Sequence, residues 1–216
     1  NLKLYDRKTI STKKDVKYII GLQKAYAMPL ARDTEMVYDL SQYVAKKITM
    51  VQYETIGAEN WYKGKMGGKY VWFPEDSVTM YGYAAMNLHK ASSISVKEMR
   101  AFLLTKGKTP DNILYKLAPS FIEAQKDTGI NAQFMFAHAI LETGWGSSVI
   151  AQYKNNFFGY QAYDSCPVTC AMYFPSGTKG LDYYAYKIHT NYLVENGLYY
   201  NGPSALAMNV RYASDR

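Results

Sequence analysis

Cysteine is nearly absent from this 216-residue chain: there are two, Cys166 and Cys170, in Cys-Pro-Val-Thr-Cys. Two thiols cannot staple a scaffold, and no His or acidic residue is spaced to complete a metal site around them. In an exported protein they close a short disulfide loop, whereas two free thiols would fit a reducing compartment. The disulfide is the expectation. Histidine is scarce as well, with three in all. No apolar run reaches the roughly eighteen residues of a membrane-spanning helix, and Asn1 opens without a signal-peptide pattern, so the chain reads as an excised mature fragment. Acidic residues are the minority: Lys plus Arg number 25 against 18 for Asp plus Glu, a formal charge of +7 with a sequence pI near 9.1. An anionic partner follows, and since the basic residues are scattered, with no nucleic-acid-reading motif, anionic wall polymers fit better than nucleic acid.

Tyrosine is abundant, 22 residues. Most of them fill core and crust, but a flat apolar face with a hydroxyl also suits sugar rings. Residues 1–36 hold Tyr5, a mixed Lys-Lys-Asp-Val-Lys stretch and Tyr-Ile-Ile-Gly-Leu, which is either extended or a short helix, before Met28-Pro29 breaks the pattern. Residues 37–80 read as a small β region. Strands at 46–51 and 69–73 flank a turn-rich stretch, 60–68, ending in Gly67-Gly68, which makes a hairpin. Residues 81–93 read as a linker or short helix.

From there the pattern is helical. Ser95 with Glu98 forms a capping box for a helix through Leu104. A helical stretch over 112–128 carries Leu114, Leu117, Phe121 and Ala124, and Pro119 inside it predicts two shorter helices. A third helix is capped by Asn131, with Phe134, Ala137 and Leu141 at helical spacing and Gly144 as its stop. It ends in one acid, Glu142. The negative end of the helix dipole and an apolar surround with Trp145 both favour the protonated carboxyl, as a general acid requires, and Gly-Trp-Gly leaves room for a ligand beside it. The competing reading is a surface Glu in the last turn of a core helix. Residues 147–180 read as a lobe of turns and short strands; Leu181 to Leu193 is helical again, and Ser204 caps a last short helix.

Six stretches now carry a resemblance. Ser-Val-Lys-Glu-Met-Arg-Ala-Phe-Leu (95–103), Ser-Phe-Ile-Glu-Ala (120–124), Gly-Ile-Asn (129–131), His-Ala-Ile-Leu-Glu-Thr-Gly-Trp-Gly (138–146), Asn-Asn-Phe-Phe-Gly (155–159) and Met-Asn-Val-Arg-Tyr-Ala-Ser-Asp (208–215) occur in order. In this the chain resembles the glucosaminidases of glycoside hydrolase family 73, bacterial wall-lytic enzymes. The resemblance implies an α+β fold: a lysozyme-like, mainly helical catalytic domain with a small β lobe over 94–216, which stops short of the family's usual last helix. It also implies cleavage of peptidoglycan glycan strands without a cofactor. Within 37–80, Asn-Trp-Tyr-Lys-Gly-Lys and Lys-Tyr-Val-Trp-Phe-Pro resemble bacterial SH3-like modules, where Trp61, Tyr62 and Trp72 would form a wall-binding face or simply a packed core.

The family's chemistry needs a proton donor and a second group that stabilises the sugar cation or activates water. Glu142 is the acid. Asp164, Asp182 and Glu195 are candidates for the second carboxylate, and Asp182 is chosen, its alternative being a dipole-stabilised acid at a helix start. If the substrate's acetamido oxygen attacks instead, no second carboxylate is required. Asn-Val-Arg-Tyr implies Tyr212 as an active-site phenol. Trp145, Asn155, Asn156, Phe158 and Tyr160 suit substrate binding, with a structural turn as the rival role for the two Asn, and His138 reads as a packed helix residue. A lytic transglycosylase and a non-catalytic wall-binding protein are the alternative functions.

Overall fold

The computed structural model describes residues 6–30 and 36–212; Tyr5 and residues 213–215, the end of the last matching stretch, lie outside the described residues. The chain divides into two units, one formed by Asn1–Asn87 with Glu195–Arg216 and one by Leu88–Val194. Sheet and helices together make it an α+β protein.

The first unit is an eight-stranded antiparallel sheet built around the meander β5 (Lys47–Ile56), β6 (Glu59–Met66) and β7 (Lys69–Pro74). Its turns explain the register. Gly67 and Gly68 both have positive φ, +55° and +84°, as a two-residue type I′ hairpin requires. The preceding residues, expected as turn, form a full strand. Their other glycine, Gly64, marks close approach: a Cβ there would lie 2.8 Å from Ile48 Cγ2 and Met50 Sδ on β5. The undecided N-terminal stretch is extended. β1 (Arg7–Ser11) and β2 (Asp15–Ile19) pair with the two halves of β5, and β3 (Lys24–Tyr26) joins β7 to β4 (Met36–Asp39). β8 (Val78–Thr79) closes the other edge against β2. A sequence boundary at 36 therefore runs through this sheet. Trp61 and Trp72, weighed as a binding face, are buried with Tyr26 and Ile56, and only Tyr62 stays half-open, stacked on Tyr53 at 4.5 Å. Residues 84–87 are no loose tether: Ala84 and Met86 carbonyls accept from Leu206 and Ala205 of helix α6 (Ala205–Tyr212).

The second unit is helical, with α1 (Val96–Thr105), α2 (Ile113–Thr128), α3 (Ala132–Glu142), α4 (Val149–Lys154) and α5 (Gly177–Ile188), the last running into a π turn, His189–Leu193. Met99, Leu103, Leu114, Phe121, Met135 and Tyr184 are wholly buried, each removal from water worth roughly 1.5–3 kcal/mol before entropy. The capping box on α1 forms as expected, with Ser95 Oγ accepting from the Glu98 amide and Glu98 from the Ser95 amide. The expected break at Pro119 does not occur. Proline cannot donate to the Tyr115 carbonyl one turn back, and Arg100 of α1 does so instead, its Nε 3.2 Å from Tyr115 O and its guanidinium 4.9 Å from the Tyr115 ring. An orphaned carbonyl costs about 1–3 kcal/mol. Arg100→Leu should therefore destabilise the chain by about that much in chemical denaturation, and adding Pro119→Ala, which restores the missing amide, should recover part of the loss.

The expected β lobe is also corrected. Among the described residues 155–176 there is no strand: the stretch satisfies its backbone through short turns, such as Ala162 N to Gly159 O and Cys170 N to Cys166 O, and through side chains. Lys154 Nζ donates to Thr169 O and Ala171 O, Asn155 Nδ2 to Phe174 O, and the Cys166–Cys170 disulfide, Cα atoms 5.4 Å apart, closes the tip.

Candidate active site

Helix α3 delivers Glu142. At its start Asn131 Oδ1 accepts from Phe134 N at 2.9 Å while its Nδ2 donates to Lys90 O, so the helix is fixed at both faces of its cap. At its end three consecutive residues, Gly144, Trp145 and Gly146, have φ of +53°, +64° and +79°. Two glycines make this left-handed turn accessible; Trp145, with a Cβ, costs about 1 kcal/mol or more there. Asn112 Nδ2 holds its carbonyl at 2.9 Å and its ring stacks on Phe102 at 5.9 Å. The glycines thus serve the turn, and the indole face is taken by Phe102.

Glu142 is the last residue of α3, and its side chain is one-third exposed (33%), more open than the apolar surround expected from sequence. Its Oε1 lies 3.1 Å from His138 Nε2, one helical turn back. His138 Nδ1 lies 2.7 Å from the Tyr184 hydroxyl of α5. Phe134, Phe158 and Tyr184 set ring centroids 5.5–5.6 Å from the imidazole. Tyr184 in turn is buried and stacked on Phe158 at 3.5 Å, almost parallel. His138 is packed, as expected, and is also Glu142's hydrogen-bond partner. The i, i+4 spacing to Glu142 is legible in the sequence; the Tyr184 contact, 46 residues distant, carried no sequence signal.

Asn156 is buried and spends its amide on the chain itself: Nδ2 donates to Tyr160 O and Met172 O, and Oδ1 accepts from Tyr160 N. Asn155 caps α4 with φ +53°. Both take the turn role: Asn155 holds Phe174 O, and Asn156 positions Tyr160, edge-on to Tyr183 at 4.9 Å. Burial pushes the Tyr160 phenol far above its ordinary range, and the nearby Tyr183, Tyr192 and Glu142 push it further. It stays a neutral hydroxyl, electrostatically coupled to the acid. Phe158 is buried behind Tyr184. Asp182 pairs with Lys179 at 3.3 Å, 40% exposed; Asp164 is exposed just before the disulfide loop, and Glu195 and Tyr212 fall in the first unit, the latter closing α6. Among the described residues no three His, Cys, Asp or Glu group to hold a metal ion.

Glu142 is thus an accessible helix-end carboxyl held by an imidazole that is itself packed among aromatic rings. Residues 118–216 match the Glucosaminidase family, described as mannosyl-glycoprotein endo-beta-N-acetylglucosaminidase. A putative endo-beta-N-acetylglucosaminidase of Streptococcus pneumoniae is 35% identical over 158 residues, 70% of this chain and 23% of that protein. A beta-N-acetylglucosaminidase of Bacillus subtilis is 35% identical over 44% of this chain and 11% of its own length, and a bifunctional autolysin of Staphylococcus aureus 30% identical over 40% and 8%. The chain spans less than a quarter of the pneumococcal relative it matches. Among solved structures, S. aureus Autolysin E aligns with a TM-score of 0.47 at 24% identity, covering 70% of this chain and 75% of that one.

Proposed function

We propose that the chain is an endo-β-N-acetylglucosaminidase that cleaves the β-1,4 bond after N-acetylglucosamine in peptidoglycan glycan strands, with Glu142 as general acid. The observation that carries this reading is Glu142 itself: an accessible carboxyl at the end of α3, hydrogen-bonded to His138, inside the stretch that matches the family. Accessibility lets it meet a glycosidic oxygen and deliver a proton there. In this reading residues 94–216 form a lysozyme-like catalytic region, and the meander of 37–80, extended by β1–β3, an SH3-like accessory module. Tyr160 offers the substrate a hydroxyl and Trp145 and Phe158 shape the aromatic surround, while Asn155 and Asn156 act through the loop they hold. Tyr212 is carried as a candidate from its sequence motif. The names of the relatives, the disulfide and the basic charge support secretion and action at a cell wall, with anionic wall polymers as a further partner. Among the described residues no helix is long and apolar enough to cross a membrane.

A single-carboxylate route is the second reading, favoured by the pairing of Asp182 with Lys179. Its two forms are attack by the substrate's acetamido oxygen and lytic transglycosylation. Mass spectrometry of material released from purified Gram-positive walls, after borohydride reduction, is the test. Reduced N-acetylglucosamine ends are expected. Anhydro-muramyl ends would establish the transglycosylase, and tight binding without release a wall-binding module.

A further inference from the structure

A glutamate at a helix C-terminus has three side-chain torsions and little to hold it. Around Glu142 the adjoining residue Leu141 is 77% exposed, and the turn amides are already used, Trp145 N by Ile140 O and Gly146 N by Thr143 Oγ1. A general acid must nevertheless present its proton along one line to the leaving oxygen, and about 1 Å of misplacement can cost roughly a hundredfold in rate. The geometry points to His138 and Tyr184 as positioning residues that hold the Glu142 carboxyl in its working orientation, an inference that rests on Glu142 being the acid.

The chain of contacts is rigid outward from the core. Tyr184 cannot turn, since it is wholly buried and its ring lies 3.5 Å from Phe158 at an interplanar angle of 8°. Its hydroxyl fixes His138 at Nδ1, 2.7 Å away, and the His138 side chain, only 10% exposed, then fixes Glu142 through Nε2 at 3.1 Å. A hydroxyl both donates and accepts, so Tyr184 matches either neutral tautomer of His138. Whichever is present, Nε2 faces Glu142 with a partner: an N–H for the carboxylate, or a lone pair for the protonated acid. A lysine or an arginine at 138 would only donate, and would serve one state of the acid alone.

The test is steady-state kinetics on soluble, uncrosslinked glycan strands prepared from Gram-positive walls, with thermal melts of each variant. Tyr184→Phe keeps the ring stack and removes the hydroxyl; kcat should fall about tenfold while KM stays within about twofold. His138→Ala should lower kcat about a hundredfold, and His138→Gln, whose amide can reach the same carboxyl oxygen, should recover about tenfold of that loss. A purely structural role would lower the melting temperature without this split between kcat and KM and without rescue by Gln. An active wild type whose Tyr184→Phe and His138→Ala forms keep their kcat would overturn the inference alone. A wild type that releases nothing would overturn the glycosidase reading and the inference with it.

Discussion

Glu142→Gln should cut the release of reducing ends from wall glycan by about a hundredfold to ten-thousandfold, while the protein folds as before. The size follows from the role: positioned proton transfer contributes about 10²–10⁴ to glycoside cleavage, and an amide has no proton to give at neutral pH. The unchanged fold follows from the place. Glu142 is one-third exposed and ends α3, where the helix dipole disfavours a negative charge. Neutralising it removes that small penalty, about 0.3–1 kcal/mol, and the Gln carbonyl can still accept from His138 Nε2. The melting temperature should therefore hold or rise by a degree or two. A variant that still lyses walls would remove Glu142 from the chemistry. One that loses activity together with its melting transition would leave a packing residue in place of an acid.

How far the sequence disclosed this molecule varied with the range of the interaction. The caps at Ser95 and Asn131 and the disulfide were legible because both partners lie within a few residues. Glu142 was legible by its position, a lone acid closing an apolar helix. Pro119 misled because the group that compensates it, Arg100, lies 15 residues before the freed carbonyl, on another helix. Gly64 misled in the other direction, as a glycine in a strand looks like turn chemistry until the methyl group of Ile48 is found over it. The lobe was read as partly strand because its turns are tied by Lys154, Asn155 and Asn156 side chains, which leave no periodic trace. Tyr184 is one of 22 tyrosines, and what singles it out is one hydroxyl contact from α5 to α3; such contacts exist only once the helices are packed.

The tightness of that packing sets the other large effect. Gly180 faces the C-terminus of α4 from within α5, and a Cβ there would run into the carbonyl oxygen of Asn155, with Asn155 C at 3.2 Å and Phe174 Cδ2 at 3.4 Å. The obstacle is backbone, and it cannot easily retreat. Asn155 is held in a left-handed conformation as the cap of α4, and its own amide grips Phe174 O at 2.9 Å. In Gly180→Ala the helix must yield, so α5 shifts outward and carries Tyr184 with it. Overpacking of this kind costs about 1–3 kcal/mol and occasionally more, which for a chain of this size lowers the melting temperature by roughly 2–4 °C per kcal/mol. A drop of about 2–12 °C is expected. The shift should also reach Glu142, because the 2.7 Å bond from Tyr184 to His138 cannot follow a displaced helix. Activity measured well below the transition should then fall as well. Gly107→Ala separates this from the ordinary cost of losing a glycine. No atom lies within 4 Å of a Cβ at that position, but φ is +72°, so about 1 kcal/mol of backbone strain is expected with activity intact. Equal behaviour of the two variants would mean that α5 has room at Gly180, and that the approach of α5 to Asn155 is not what holds Tyr184 against His138.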